Sequence, residues 1–179
     1  MNVKRPTMNV TRISSAACVL LTAVMAFPVL AAAQTTGTVL HAAEASKILP
    51  DTVYFAGQSA TTQMRNSAGM RLPDGHHILA VLVDTSGYSS TVKERYQGYL
   101  LAEVPLSVGG HTLPAGAYGM GFVGGNFLVM DIGDHTLLKT ASSHDAQMQR
   151  PMPLQILDGS QPGSWRLCFG RDCVDFRMK

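Results

Sequence analysis

The chain has 179 residues, of which 46% are apolar and 15% charged, and its 14 basic and 12 acidic residues give a net charge of +2. This apolar content excludes a disordered chain, and a single long uncharged apolar run excludes a multi-span membrane protein. Three basic residues lie within the first 12 positions, and subtracting them from the 14 leaves 11 against 12 acids. Residues 34–179 therefore carry a net charge of −1, without the basic surface that nucleic-acid binding requires.

The N-terminal segment has the order of a secretory signal peptide. Basic residues in positions 1–12 precede an uncharged apolar stretch, residues 13–33, that ends in three alanines. This order predicts cleavage after Ala33, and a start at Met8 would leave the signal complete. An uncleaved membrane anchor is the alternative, because such a stretch can just span a bilayer. We expect an exported bacterial protein, periplasmic or secreted, with no membrane attachment after cleavage.

The segment after the signal, residues 34–50, predicts a short helical lead-in. It is rich in alanine, and the helix is expected over residues 39–49 with Pro50 as its stop. Beyond it, residues 51–179 show short β-like runs divided by turn residues and no long amphipathic helix. We therefore expect one all-β domain over residues 51–179.

Apolar patterning predicts how the strands of this domain are covered. Residues 77–84 are mostly apolar at both the odd and the even positions, as in a central strand buried on both faces. Residues 116–132 predict a hairpin across Gly124 and Gly125, with apolar side chains or glycines on both faces. A sheet covered on both sides follows, so the expected fold is an antiparallel β-sandwich or flattened barrel. Further strands are expected at residues 58–66, 97–106 and 154–157, with a polar loop at residues 142–153.

A polar segment, residues 84–90, leaves this central strand and provides the candidate binding residues. Loops on a rigid β scaffold often carry recognition, and tyrosine stacks on sugars or packs against partner proteins. The expected ligand is an envelope or extracellular glycan or protein. The alternative is a structured loop whose hydroxyls satisfy backbone groups, with Tyr96 and Tyr99 facing the core. The candidate binding residues are Tyr88, Ser89, Ser90 and Arg95.

Residues 109–118 contain the pattern G-x-x-L-P-A-G-x-Y. Pro114 and Gly116 predict a tight turn, after which Tyr118 starts a strand. With the segments at residues 49–51, 57–60, 83–90 and 96–105, this motif resembles a family of exported acidobacterial proteins of unknown function. The resemblance extends over nearly all of the mature chain. It implies export and an all-β fold, and it assigns no catalytic role.

Histidines and aspartates on two loops form a candidate metal site. Imidazole and carboxylate groups are common zinc ligands, and both loops could meet in the fold. No H-E-x-x-H or cysteine-rich metal spacing accompanies them, so ordinary solvated loop residues are the alternative, and no cofactor is predicted. The candidate ligands are Asp131, Asp134, His135 and His144, with Asp145 beside them.

The residues Ser90 and Lys93 match the S-x-x-K pattern, in which a lysine activates a serine nucleophile. The companion S-D-N and K-T-G elements are missing, because Lys139 and Thr140 are followed by alanine. A chance match is common for so short a pattern. A serine hydrolase is therefore only an alternative.

Cys168 and Cys173 are the cysteines that remain after signal cleavage. An even pair in an oxidising compartment favours a disulfide, and the C-x4-C spacing favours a structural bond over a redox-active one. Gly170 and Arg171 predict a two-residue turn that places the cysteines opposite each other. The same register pairs Leu167 with Val174, Arg166 with Asp175 and Trp165 with Phe176, giving one apolar face and one face with a complementary charge pair.

These features together predict an exported, non-catalytic binding or interaction module of the cell envelope. A small metal-dependent or serine hydrolase and a purely structural envelope component are the alternatives. A concave pocket of convergent polar groups would favour the hydrolase, and an exposed aromatic patch would favour binding.

Overall fold

Two antiparallel β-sheets pack face to face in a computed structural model that describes residues 1–2 and 37–179. Apart from its first two residues, the predicted signal peptide lies outside the described residues. The helices are α1 Ala42–Ala45 and α2 Ser90–Arg95. The strands are β1 Thr38–Leu40, β2 Thr52–Phe55, β3 Gln58–Arg71, β4 His77–Val83, β5 Gly98–Ala102, β6 Leu106–Val108, β7 His111–Leu113, β8 Gly116–Val123, β9 Asn126–Met130, β10 Thr136–Ala141, β11 Ser143–His144, β12 Gln155–Asp158, β13 Trp165–Phe169 and β14 Asp172–Met178.

The larger sheet has eight strands in the order β1-β3-β4-β5-β8-β9-β10, with β2 also paired to β3. β4 lies between β3 and β5 and is buried over almost its whole length, which confirms the central strand. β3 extends beyond the predicted residues 58–66. A register shift between Thr62 and Ser67 separates the half that pairs with β2 from the half that pairs with β1 and β4.

The smaller sheet has six strands in the order β12-β13-β14-β6-β7, with β11 paired to β14. The strand predicted over residues 97–106 is divided between the two sheets, because β5 belongs to the larger and β6 to the smaller. The crossing falls at Pro105, which has no N–H to donate to a strand ladder. The main core lies between the sheets and includes Leu100, Phe127, Leu167 and Phe176, so the predicted all-β sandwich is confirmed.

Two groups of residues pack on the outer face of the larger sheet and shield it from solvent. Ala45 of α1 and the following Leu49 pack on Leu79 and Val81 of β4. At a second place, β2 and the segment around α2 bury an aromatic group that includes Phe55, Tyr88 and Tyr96. The larger sheet is therefore apolar on both faces, as predicted.

The hairpin of β8 and β9 has the predicted register, with Phe122 opposite Phe127 and Gly119 opposite Met130. A Cβ atom at Gly119 would overlap the ring of Phe55, and one at Gly121 would overlap the carbonyl oxygen of Arg95. The two glycines thus let β2 and α2 lie directly against the sheet.

The helical lead-in is shorter than the residues 39–49 predicted for it. Val39 belongs to β1, which pairs with the end of β3, and the helix itself is only Ala42–Ala45. The Glu44 carboxylate accepts the backbone N–H of His41 at 3.1 Å, which caps the helix start. Pairing with β3 satisfies the backbone of residues 38–40, so they do not join the helix.

Candidate functional site

A polar cleft of about 330 Å³ lies on the outer face of the smaller sheet. Side chains alternate along β14, so Phe176 is buried in the core while Asp175 and Arg177 project to the opposite, exposed face. β6 pairs with this end of β14 and places Ser107 opposite Arg177. The cleft is lined by Ser107, Gly109, Gly110, Ser160, Gln161, Ser164, Asp175, Phe176 and Arg177.

One wall of the polar cleft is the loop of residues 159–164, which its own hydrogen bonds hold in place. The buried hydroxyl of Ser164 donates to the Gln161 carbonyl at 2.7 Å and accepts the Gln161 N–H at 3.1 Å. The Gly159 N–H donates to the Ser164 carbonyl at 2.9 Å. This wall is therefore formed before any ligand binds.

A second wall is the two-residue turn between β6 and β7. Gly109 and Gly110 have φ values of 54° and 83°, a conformation that glycine adopts without strain. A Cβ atom at Gly109 would overlap the side chain of Thr140 in β10, so the turn lies directly against the larger sheet. Both walls are thus attached to the rigid sandwich.

The charges in the polar cleft are not neutralised by one another. Arg177 donates to the side-chain carbonyl of Gln161, a neutral partner. Within residues 37–179, neither Asp175 nor Arg177 takes part in an ion pair. Arg166 has the predicted register opposite Asp175, but its Nη1 lies 3.2 Å from Oδ2 of Asp145 instead. The expected charge pair across the cysteine hairpin is therefore replaced by a longer-range one.

The side chains of three of the four candidate binding residues around α2 make hydrogen bonds within the described part of the fold. The side chain of Ser90 makes none there. Tyr88 is 5% exposed, and its hydroxyl donates to the carbonyls of Phe55 at 3.0 Å and Gln58 at 3.1 Å. Its ring packs in the aromatic group with Phe55 and Tyr96. Ser89 caps α2 by accepting the Val92 N–H at 3.4 Å. The hydroxyls of Tyr88 and Ser89 thus satisfy backbone groups, and Tyr96 is buried in the same aromatic group, as the structured-loop alternative expects.

The remaining α2 residues are at or near the surface. Arg95 donates from Nη2 to the Thr136 hydroxyl at 2.6 Å, and its Nη1 lies 3.4 Å from the Asp134 carboxylate. Ser90 is exposed and begins the helix, with Lys93 three residues later. In the described part of the chain, neither side chain of this S-x-x-K pair makes a hydrogen bond.

The four candidate metal ligands lie in three separate contacts. His135 Nδ1 is 3.0 Å from Asp131 Oδ2, Asp134 faces Arg95, and His144 Nδ1 is 2.8 Å from Asp172 Oδ1. A hydrogen bond from the His135 backbone N–H lowers the pKa of Asp131. Among residues 37–179, no three histidine, cysteine, aspartate or glutamate side chains are grouped to hold a metal ion.

Cys168 and Cys173 form the predicted disulfide, with their Cα atoms 4.1 Å apart and all four predicted cross-strand pairs of the hairpin present. The Arg171 guanidinium donates to the carbonyls of residues 145, 146 and 148, which ties the polar loop to the hairpin. Both cysteines are buried. The pair is a structural bond within the sandwich.

Local sequence patterns do not predict the polar cleft. Alternation along β14 correctly predicts that Asp175 faces away from the apolar side, but β6 and the loop of residues 159–164 show no strong pattern of their own. Within the described residues, no helix has the length and apolar character needed to cross a membrane. Comparison with known family models, curated proteins and solved structures finds no match.

Proposed function

We propose that the protein is an exported, non-catalytic binding module that holds a small polar ligand in the polar cleft. The observation that carries this proposal is that Asp175 and Arg177 line the same cleft as Ser107 and Ser160. Neither charged residue forms an ion pair within residues 37–179. A volume of about 330 Å³ lies within the range of about 300–1,000 Å³ typical of small-molecule sites.

The fixed walls of the polar cleft favour binding of a ligand. Both walls belong to turns that are fixed by hydrogen bonds or by contact with the other sheet, so little conformational entropy is lost on binding. Loops and turns on a rigid β scaffold commonly carry binding sites.

The lining favours hydrogen bonding and charge over ring stacking. Phe176 is the aromatic residue of the lining, and it is 4% exposed with its ring in the core. A ligand in this cleft contacts hydroxyl, amide, carboxylate and guanidinium groups. This composition favours a compact polar molecule over an extended glycan stacked on tyrosine.

Export is part of the same proposal. A disulfide persists in oxidising compartments and is rare in the cytosol. The predicted signal peptide and the resemblance to exported acidobacterial proteins support the same location. The ligand is therefore a molecule of the periplasm or of the surroundings of the cell.

A blocking variant tests the proposed site. Thermal unfolding of the oxidised mature domain is measured against a panel of amino acids, dipeptides, sugars, small carboxylates and polyamines. We expect at least one compound to raise Tm, because binding to the folded state alone stabilises it. Ser107→Trp or Ser160→Trp, each filling the cleft, should remove the shift.

The matched control is Ser86→Trp, which puts the same side chain at an exposed position outside the cleft lining. It should keep the shift in Tm. Absence of any stabilising compound, or a shift that survives both blocking variants, would overturn the proposed function.

A further inference from the structure

We infer that the ligand of the polar cleft is a zwitterion of the amino-acid type, a free amino acid or a short peptide with both its ammonium and its carboxylate. This inference rests on the proposed function and specifies the chemistry of the same site.

Strand β14 carries two opposite charges on its exposed face. Asp175 and Arg177 are two residues apart on the exposed face of β14, so their Cα atoms are separated by about 6.5 Å. Both line the cleft, and their side chains do not pair with each other. The cleft thus presents one carboxylate and one guanidinium to the same ligand.

Neighbouring groups keep these two charges separate. The Gln161 side chain holds the Arg177 guanidinium towards the loop wall. Arg166, the cross-strand neighbour of Asp175, is engaged by the carboxylate of Asp145. The Asp175 backbone carbonyl accepts the Gly109 N–H at 3.4 Å, which joins this part of β14 to the turn wall.

The two charged side chains select the charges of the ligand. A carboxylate suits the planar guanidinium of Arg177, which can donate two parallel hydrogen bonds to it. An ammonium group suits the Asp175 carboxylate. A purely anionic ligand would meet repulsion from Asp175, and a purely cationic one repulsion from Arg177. A ligand with both charges satisfies both residues.

The two charges of an amino acid lie close enough together to contact both side chains. In an amino acid, the nitrogen and the carboxylate carbon are about 2.5 Å apart, because one Cα joins them. Charge-assisted hydrogen bonds of about 2.8 Å at each end extend this span to about 8 Å. The side chains of Asp175 and Arg177 project from Cα atoms about 6.5 Å apart on one face, so both charged groups lie within reach of one such unit. The charges of a dipeptide are farther apart, so the affinities of alanine and alanyl-alanine report which span the cleft accepts. Ser107 and Ser160 then remain for the ligand's other polar atoms.

The test is isothermal titration of the oxidised mature domain with alanine and alanyl-alanine of both chiralities. Each is compared with its N-acetylated form, which lacks the ammonium, and with its amide, which lacks the carboxylate. We expect at least one zwitterion to bind at least tenfold more tightly than either blocked form. Its affinity should fall as salt is added, because screening weakens the charge contacts.

Variants assign each charge to its residue. In Arg177→Gln the zwitterion and its amide should bind equally, and in Asp175→Asn the zwitterion and its N-acetylated form should bind equally. The control Arg150→Gln removes an exposed arginine outside the cleft lining and should leave the preference unchanged. A cooperative thermal transition verifies that each variant is folded.

Failure of the zwitterion inference and failure of the proposed function give different experimental results. Binding of a sugar or of a singly charged compound in the cleft, with no zwitterion bound, overturns this inference and leaves the proposed function standing. A zwitterion that binds equally well when either charge is blocked also overturns it. If no compound of the wider panel binds, the proposed function itself falls.

Discussion

Two buried tyrosines differ in what their hydroxyls contact. The Tyr88 hydroxyl donates to two backbone carbonyls, while the buried hydroxyl of Tyr96 has no hydrogen-bond partner within the described residues. The two rings meet edge to face with centroids 5.5 Å apart, so they share one apolar environment. Replacing each tyrosine by phenylalanine is therefore expected to change the free energy of unfolding in opposite directions.

We expect Tyr88→Phe to lower the free energy of unfolding by about 1–3 kcal/mol, because the carbonyls of Phe55 and Gln58 lose the single O–H that they share. Tyr96→Phe should raise it by about 1 kcal/mol, because it removes a buried polar atom that gains nothing. Urea denaturation of both variants measures the two signs. Destabilisation of similar size in both would contradict this reading.

The turn motif of residues 110–118 is likewise explained by individual contacts. The Tyr118 hydroxyl donates to the Pro114 carbonyl at 2.8 Å, and a Cβ atom at Gly116 would lie 2.7 Å from that hydroxyl oxygen. Gly110 has a positive φ, and Leu113 is buried in the main core. Gly110 thus belongs to the turn before β7, while Pro114, Gly116 and Tyr118 shape the corner between β7 and β8.

At the scale of elements, the position of α2 against the larger sheet depends on a glycine. The Arg95 carbonyl at the end of α2 occupies the space that a side chain at Gly121 of β8 would need. α2 is short, and none of its own residues is buried. Its position therefore depends on this close approach and on the contacts of Arg95 with Thr136 and Asp134.

We expect Gly121→Ala to destabilise the protein by about 1–3 kcal/mol, because the added methyl group meets backbone rather than a movable side chain. Hydrogen exchange of the α2 amides should rise more than that of β4. The control is Gly87→Ala, whose added methyl group would only touch the Gln58 side chain at 3.6 Å. Unchanged protection of α2 in Gly121→Ala would contradict this account.

At the scale of the whole molecule, buried tyrosines predict how stability responds to alkaline pH. Burial raises the pKa of Tyr88, Tyr96, Tyr99 and Tyr118 above the ordinary value of 10.0. A group whose pKa is raised in the folded state contributes stability that is fully present below its unfolded pKa. That stability is lost as the pH rises from about 10 through the folded pKa values.

We therefore expect these tyrosines to leave the stability unchanged between pH 8 and pH 9 and to lower it steeply above about pH 10. Tyr96→Phe should reduce the slope above pH 10 by up to one proton, since it removes one such group. Urea denaturation across this pH range measures the slope. An identical slope in the wild type and in Tyr96→Phe would contradict the assignment.

Strands that were not predicted share a physical cause. β6 and β7 have three residues each and flank a glycine turn, and β10 lies at the edge of its sheet with Leu137 53% exposed. A short or edge strand has too few buried positions to show a clear alternation. Only pairing with neighbours from other parts of the chain makes these segments strands.

The sequence by itself determined the two tight hairpins, the disulfide and the doubly covered central strand of an all-β sandwich. A two-residue turn sets the register of the strands beside it, and side chains alternate with a period of two, so these features need only local information. The tertiary structure decided which polar groups meet. Burial of Tyr88, the pairing of Arg166 with Asp145 and the polar cleft at Arg177 all join segments far apart in the chain. Their contacts depend on how loops cross between the sheets, which no local pattern specifies.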